Sequence, residues 1–334
     1  AASSGCESVM NTVEGISDNL LHGIELSMNS PSESVGASPV NPWKIATGDG
    51  IEPSATEKMD PVTLKSQIVN REIPYNKHVG EVFMLNSLYS ILEGNPEVIG
   101  AGVLFEPNAF LPDEKNYSPY MSQSSKKEMI VSNYRYEDIS SEKYYTAVKE
   151  SKSKYVTNLY VEEEDGKKNT ELTFSNPIVL NGEFKGTVIT DVDASVLDNI
   201  HQKDDAFPSM FTNILDSNYI IHSENPDFDG RDLREILPEK AMKKIQEGLD
   251  GGKPFSRLIV NELGVERREF YNPIDLHGNV WWVRLSITET DYDREVDRLV
   301  NLGILFGVLC VIVLVVVTTV IIRRSLKPLQ HVAD

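Results

Sequence analysis

The sequence has little cysteine and little positive charge, and each scarcity excludes classes of protein. Only two of the 334 residues are cysteines, Cys6 and Cys310. Because Cys310 lies inside a long apolar run, the two cannot pair within one chain, and no disulfide framework or zinc pattern is present. Lys and Arg number 32 against 51 Asp and Glu, which gives a net charge of −19. So acidic a surface argues against binding to nucleic acid or to anionic lipid.

The motifs of nucleotide binding, hydrolysis and metal binding are also missing. The sequence contains no P-loop, no Gly-x-Ser-x-Gly motif, no nucleophilic Cys/His arrangement, and no two histidines four residues apart. A segment at 225–230 begins like a calcium loop, but Ile236 stands where such a loop needs a bidentate glutamate. A turn explains Gly230 more simply. We therefore predict no catalytic residue, no metal and no cofactor.

A long apolar run is present near the C-terminal end. Residues 299–322 are 24 positions without a charge, and as a helix they extend roughly 36 Å, enough to cross a hydrocarbon core of about 30 Å. Arg323, Arg324 and Lys327 follow the run, and cationic residues beyond a span favour the cytoplasmic side. We predict that 299–322 crosses the inner or plasma membrane, with residues 1–298 outside the cytoplasm and the C-terminal end inside. A buried core helix is the alternative, but such a helix is rarely apolar on all faces.

The N-terminal residues predict an amphipathic helix. Apolar residues recur at steps of three and four: Val9, Val13, Ile16, Leu20 and Ile24. The basic and apolar regions of a signal peptide are lacking. We expect a first membrane span to precede residue 1.

Two further segments complete the first 97 residues, which we interpret as an N-terminal helical stalk region. Residues 29–60 are rich in Ser, Pro and Gly and form either an ordered excursion or a flexible insert, with Trp43 and Ile45 as its bulky anchors. A second helical region is expected from about Pro61 to Leu92, with a break or kink at Pro74.

The rest of the outer part repeats itself. Residues 174–182 (FSNPIVLNG) and 270–278 (FYNPIDLHG) are identical at six of nine positions, and an apolar strand follows each copy. Two copies of one module explain this better than chance. The pattern predicts an α+β fold, with antiparallel sheets and short helices in modules at 98–200 and 201–290. A signalling helix at 291–322 continues without a breaker into the span.

This organisation resembles the double Cache sensor domain of bacterial chemoreceptors and sensor kinases. The resemblance rests on a long external helix, two tandem modules and a span. Residues 323–334, which begin Arg-Arg-Ser-Leu-Lys-Pro-Leu, resemble the start of a HAMP linker. The resemblance implies that both modules are PAS-like and that the membrane-distal module, 98–200, binds a small molecule.

A subgroup of that family which binds amino acids is similar to this chain at several positions. Its helix motif is Arg-Pro-Trp-Tyr, followed by Tyr-x-Asp on a strand and by an Asp that ends the last strand. Here the corresponding residues are Glu142-Lys143-Tyr144-Tyr145, Tyr160-Val161-Glu162 and Asp191. Where the family has an arginine to hold a ligand carboxylate, this chain has Glu142, although Arg135 and Lys143 are nearby. The candidate ligand-binding residues are Tyr134, Arg135, Glu142, Tyr144, Tyr160, Glu162 and Asp191.

Acids and tyrosines around one pocket favour a cation, because carboxylates pair with ammonium groups and tyrosine faces add cation–π attraction. The hypothesis is an amine or amino-acid-like ligand. The alternative is that the tyrosines pack a sheet face and the acids are solvated.

The predicted function is therefore ligand sensing and transmembrane signalling in a bacterial chemoreceptor. The expected partners are a small-molecule ligand, a second copy in a homodimer, the membrane, and cytoplasmic proteins reached through an output domain. The alternative is the sensor part of a histidine kinase, cyclase or phosphatase whose catalytic domain lies beyond residue 334. A tethered hydrolase is disfavoured by the missing catalytic motifs, and a transport-linked binding protein by the single span.

Overall fold

The computed structural model describes residues 2–29, 43–47, 50–53, 65–124, 127–164, 167–200, 207–223, 225, 227–261 and 263–330. The helices are α1 (Ala2–Asn29), α2 (Tyr75–Gly94), α3 (Tyr136–Ile139), α4 (Lys143–Ser151), α5 (Leu233–Ile236), α6 (Glu239–Asp250) and α7 (Glu289–Gln330), with a 3₁₀ helix at Ala194–Ile200. The strands are β1 (Trp43–Thr47), β2 (Gly50–Pro53), β3 (Val98–Phe105), β4 (Pro119–Gln123), β5 (Met129–Asn133), β6 (Tyr155–Val156), β7 (Tyr160–Glu164), β8 (Lys167–Leu180), β9 (Glu183–Asp193), β10 (Phe211–Leu215), β11 (Ile221–His222), β12 (Phe255–Val260), β13 (Glu266–Leu276) and β14 (Asn279–Thr288).

The first module is built on a nine-stranded sheet. Its strand order is β2-β1-β5-β4-β3-β9-β8-β6, and β7 also pairs with β8. Each pair of neighbouring strands is antiparallel except the pair β1 and β5, which is parallel. The Ser/Pro/Gly-rich insert thus supplies the β1–β2 hairpin at the sheet edge, while its residues 30–42, 48–49 and 54–60 lie outside the described part of the chain.

The two faces of this sheet carry different partners. Side chains alternate along β3, so that Ala101, Val103 and Phe105 join the core formed with α1 and α2. Leu104 points to the opposite face and joins a smaller cluster with Ile139, Tyr145 and Ile189. One face is therefore closed by the long helices, and the other is left for the short helices α3 and α4.

The second module has a five-stranded antiparallel sheet in the order β11-β10-β14-β13-β12. Its α6 packs on one face through Ile245 and Leu249, against Tyr271 and Trp282. The neighbouring Trp281 points to the other face and is 0% exposed. It lies in a core shared by α1 and both modules.

The repeated segments form equivalent hairpins in the two modules. β8 and β9 are joined by Asn181-Gly182, with φ values of 54° and 80°, and β13 and β14 by His277-Gly278, with φ values of 55° and 87°. Two successive positive φ values define the tight turn that matches the twist of antiparallel strands. The repetition in sequence is therefore a repetition in structure, and the predicted α+β class is confirmed.

The predicted second helix begins later than expected. Residues 65–73 form a turn closed by a bridge between Lys65 and Glu72, and α2 begins at Tyr75, directly after Pro74. A proline disfavours helical backbone in the residue before it and is tolerated at a helix start, so it separates the two parts. Residues 61–64 lie outside the described part of the chain.

The last helix, α7, is continuous from Glu289 to Gln330 and includes the predicted span. Among the described residues it is the one helix long and apolar enough to cross a membrane. Its side chains at 299–321 are exposed on all sides, which a core helix would not tolerate. The last four residues of the HAMP-like tail, 331–334, lie outside the described residues.

Candidate ligand pocket

A pocket of about 1010 Å³ opens on the face of the first sheet that α1 and α2 leave free. It lies between the sheet, the helical segment 138–144 and the segment 155–161, which comprises β6, the connection after it and the start of β7. Its lining includes Tyr120, Tyr134, Asp138, Glu142, Lys143, Tyr144, Tyr155, Thr157, Asn158, Leu159, Tyr160, Glu162, Ile189, Asp191, Ser217 and Asn218.

Asp191 lies at the floor of the pocket. Its two carboxylate oxygens accept hydrogen bonds from the Tyr120 hydroxyl (2.6 Å) and from Thr173 Oγ1 (2.6 Å). Burial raises the pKa of Asp191 to about 6, although these two hydrogen bonds oppose the rise. The carboxyl group is therefore largely ionised at neutral pH and sensitive to any charge placed beside it.

Two glycines of β3 allow Tyr120 to reach Asp191. A Cβ atom at Gly100 would lie 1.8 Å from the Tyr120 hydroxyl oxygen, and one at Gly102 would lie 2.9 Å from the Tyr120 ring. Tyr120 therefore lies flat across a strand with no side chains beneath it. Its ring also stacks on Tyr134, with ring centroids 5.0 Å apart.

Tyr144 and Tyr160 add phenol groups above this floor. The Tyr160 hydroxyl lies 2.9 Å from Thr173 Oγ1, and so joins the hydrogen-bonded chain to Asp191. Burial raises the pKa of Tyr144, and the negative charges of Glu142, Asp191 and Glu162 raise it further. The Tyr144 phenol thus lies among the acidic groups of the pocket.

A second buried carboxyl group stands beside the pocket. Glu171 on β8 pairs with Tyr160 on β7 in the strand register and is buried. Burial raises the pKa of Glu171 to about 8, and the charges of Glu162 and Asp191 together with a hydrogen bond to Glu162 contribute to the rise. Glu171 and Asp191 are therefore ionised more readily once a positive charge lies beside them.

The structure brings six of the seven predicted site residues to this one pocket: Tyr134, Glu142, Tyr144, Tyr160, Glu162 and Asp191. Arg135 is the exception. Its guanidinium turns away to Asp138, with two hydrogen bonds of 2.9 Å, and its side chain is 70% exposed. Asp138 lies three residues further along the chain, so the local ion pair holds the arginine outside the pocket.

Sequence reasoning missed Tyr120, Thr173 and Asn158. Gly100 and Gly102, alternating with apolar residues on one strand, were a signal that another group approaches closely. Thr173 and Asn158 carry no such signal, because ordinary strand and loop residues acquire these roles only through the pairing of β8 with β9 and the packing of the second module.

Residues 84–199 match the model of the family described as methyl-accepting chemotaxis protein-like, first PDC sensor domain. The first module is therefore similar to a PDC sensor domain. No curated protein sequence matches the chain.

Solved structures of similar fold include the periplasmic sensory domain of the Campylobacter jejuni chemoreceptor Tlp1 (TM-score 0.56, 10% identity, covering 87% of this chain and 92% of that one). The extracellular domain of mmHK1S-Z3, a protein named as a histidine kinase, has a TM-score of 0.54 and 22% identity over 65% of this chain and 82% of that one. The ligand-binding domain of the Pseudomonas aeruginosa PAO1 amino acid chemoreceptor PctC, in complex with GABA, has a TM-score of 0.50 and 11% identity over 86% and 94%.

These similarities confirm the predicted resemblance and the tandem arrangement of two PAS-like modules. At such identities they show the fold rather than the ligand. The chain resembles a sensor domain of the chemoreceptor or histidine kinase type, and it has one helix long and apolar enough to cross a membrane among the described residues. Sensor domains of this kind are not catalytic.

Proposed function

We propose that this chain is the sensing and transmembrane part of a bacterial chemoreceptor whose first module binds a small cationic molecule, an amine. The observation that carries the proposal is the charge of the pocket. Among the residues that the structure describes, three carboxyl groups in the lining, Glu142, Glu162 and Asp191, face one lining base, Lys143. The fourth lining acid, Asp138, is already paired with Arg135.

An ammonium group matches this environment in both charge and hydrogen bonding. It donates three hydrogen bonds, while ionised carboxylates only accept them. Burial has already weakened the hydration of Asp191, so a bound cation recovers electrostatic energy that water no longer supplies. Tyr134 and Tyr144 provide ring faces beside the acids, to which a cation is attracted.

An amino-acid-like ligand with separated charges is the second candidate. The structure of PctC is a complex with GABA, which carries an ammonium group and a carboxylate. In this chain Lys143 is the lining base available for such a carboxylate. Because the acids outnumber this base, a plain amine remains the first choice.

The output of the receptor is part of the proposal. Chemoreceptor and histidine kinase sensors both occur among the similar structures. We favour the chemoreceptor because the matched family model is named for methyl-accepting chemotaxis proteins. A histidine kinase, cyclase or phosphatase output is the alternative, and the domain that follows the HAMP-like tail in the full receptor distinguishes them.

The proposed orientation places the modules outside the cytoplasm and the end of α7 inside. Arg323, Arg324 and Lys327 support this orientation, because cationic residues are retained on the cytoplasmic side. A homodimer fits a receptor whose helices must move against a partner near the membrane.

Calorimetry of the detergent-solubilised chain with n-butylamine tests the ligand class, with butanoate as the anion of similar shape. We expect n-butylamine to bind and butanoate not to bind. Glu162→Gln should weaken n-butylamine by about tenfold or more, since a hydrogen bond to a charged group contributes roughly 1.5–3 kcal/mol. Glu150→Gln, the same change at an exposed position of α4, is the matched control. Tight butanoate binding that is indifferent to Glu162→Gln would refute the cationic ligand.

A further inference from the structure

The segment 155–161 has two sides, one toward the pocket and one toward the second module. Tyr155, Thr157, Asn158 and Tyr160 are among the residues that line the pocket. Two residues between them, Val156 and Leu159, lie in the core that α1 and both modules share, and Leu159 also borders the pocket. Anything that moves this segment therefore acts on the pocket and on the module boundary together.

Asn158 is bonded to the second module through its own side chain. Its Oδ1 accepts a hydrogen bond from Ser217 Oγ (2.8 Å) and another from Asn279 Nδ2 (2.8 Å). Asn279 Nδ2 also donates to the Val156 carbonyl oxygen (2.9 Å) and is buried. A pocket residue thus shares its amide oxygen with two residues from different strand ends of the second module.

The second module also forms part of the pocket wall. Ser217 and Asn218, in the turn between β10 and β11, are lining residues. The buried Asp216 fixes the shape of this turn, because its Oδ1 accepts hydrogen bonds from the amides of Asn218 (2.8 Å) and Ile220 (2.9 Å). The turn is therefore a rigid edge of the pocket supplied by the neighbouring module.

Asn279 connects this contact to α7 through a single strand, β14. It is the first residue of β14, and α7 begins at Glu289, directly after the last residue, Thr288. Ten strand residues extend roughly 33 Å. Over that length β14 is hydrogen-bonded to β13 on one side and, at 282–286, to β10 on the other, so it moves as part of the sheet.

The junction of β14 with α7 is fixed as well. Asp291 in the first turn of α7 accepts a hydrogen bond from the Ser209 amide (3.0 Å). Arg268 on β13 forms an ion pair with Glu289. A displacement of β14 therefore reaches the start of α7 without a flexible linker between them.

We propose that the ligand site is shared between the two modules, and that Asn158 is the positioning residue that couples occupancy of the pocket to β14 and α7. This inference rests on the proposed function, since it requires a ligand in the first module. A ligand shifts the receptor only if it binds one arrangement of the segment 155–161 better than the other. In this proposal the two arrangements differ in the contacts that Asn158 makes with the second module, at the turn that contains Ser217 and Asn218.

Hydrogen–deuterium exchange of the full chain in lipid nanodiscs tests the coupling, with saturating n-butylamine as the probe. In the wild-type chain we expect n-butylamine to alter exchange in residues 155–161 and also in residues 286–294. In Asn279→Ala the change at 155–161 should persist, while the change at 286–294 should fall by about fivefold, the lower range of allosteric coupling. Asn272→Ala, an exposed asparagine on β13 of the same module, is the control and should behave as wild type.

A second variant shows whether a lost response in Asn279→Ala comes from a folding defect and not from the lost hydrogen bond. Ser217→Ala alters an exposed turn residue and removes one of the two bonds to Asn158. It should also diminish the response at 286–294. An undiminished response in both variants, or a wild-type response confined to the first module, overturns the proposed coupling.

A measurement without ligand separates this inference from the proposed function. In the free chain, Asn279→Ala should raise amide exchange in residues 157–159 of the other module by about fivefold relative to Asn272→Ala, because a buried bond across the boundary is lost. Failure of every amine to bind the wild type would reject the ligand class alone. Unchanged exchange at 157–159 in Asn279→Ala would reject the coupling, whatever the ligand.

Discussion

Gly100 and Gly102 determine how closely Tyr120 approaches Asp191. The missing Cβ atoms let the phenol cross β3 and donate a 2.6 Å hydrogen bond to the carboxylate. The charge at the pocket floor is thereby held in a fixed position by Tyr120 and by the buried Thr173. A single methyl group at Gly100 is enough to test this arrangement.

Gly100→Ala should displace the Tyr120 ring and break its bond to Asp191. We expect n-butylamine affinity to fall by about tenfold, the effect of one hydrogen bond to a charged group, and stability to fall by about 1–3 kcal/mol from overpacking. Calorimetry and thermal unfolding measure the two effects. Gly15→Ala is the control, because a Cβ there meets no atom within 4 Å. Equal n-butylamine affinity in Gly100→Ala and wild type would show that Tyr120 does not position Asp191.

For single residues, the sequence indicated which side chains come together better than it indicated what each side chain contacts. Glu142, Tyr144, Tyr160, Glu162 and Asp191 were assigned to one pocket, and the structure places them there. Arg135 was assigned by proximity along the chain, but its local pairing with Asp138 holds it outside. Such a short-range competitor is visible only once side-chain directions are known.

The strands β13 and β14 of the second module carry a buried ion pair where the first module has a pocket face. Glu269 and Arg284 have side chains that are 0% and 6% exposed. Tyr271 and Ser286 also donate to the Glu269 carboxylate. Burial alone would lower the pKa of Arg284, but the Glu269 charge and Tyr271 raise it above its ordinary value. Arg284 therefore stays charged, and its hydrogen-bond partner Glu269 lies within the same sheet.

Glu269→Gln should destabilise the second module strongly, because it leaves the Arg284 charge buried without a counter-charge. The expected loss is about 3–5 kcal/mol, measured by thermal or denaturant unfolding. Glu266→Gln, an exposed position on the same strand, should change stability little. Replacing both partners by methionine should cost less than Glu269→Gln alone. A Glu269→Gln chain as stable as the control would contradict the importance of the pair.

Helices, strands and turns could be predicted where interactions between residues close in the sequence determine them. The two hairpin turns lie at Asn181-Gly182 and His277-Gly278 in the repeat, and both have two positive φ values. The expected break at Pro74 is confirmed by the start of α2 at Tyr75, but the residues before it, 65–73, form a turn rather than the expected helix. The turn before it is held by the buried Glu81, which accepts hydrogen bonds from the Gln67 amide (2.7 Å) and the Tyr117 hydroxyl (2.8 Å). That contact joins residues 36 apart in the sequence, and no local pattern announces it.

In the whole molecule, the acidic pocket adjoins the core that both modules share, and the second module leads directly into the long apolar helix α7. The order of modules and the apolar run could be predicted from repetition and length, which are properties of the sequence alone. The join between the modules could not, because Asn158, Ser217 and Asn279 come from three separate loops or strand ends. At this scale, the proposed function requires that the pocket of the first module binds a cation.

The pH dependence of n-butylamine binding tests whether the ligand is a cation. Asp191 and Glu171 have raised pKa values of about 6 and about 8, whereas an alkylamine stays protonated up to about pH 10. A cation prefers both groups ionised, so binding should release protons, and affinity should rise with pH across the interval from 6 to 8. Calorimetry between pH 5.5 and 8.5, in buffers of different ionisation enthalpy, measures the affinity and the protons released together. We predict tighter binding at the higher pH with net proton release, and affinity that is constant or falls as pH rises would contradict a cationic ligand in this pocket.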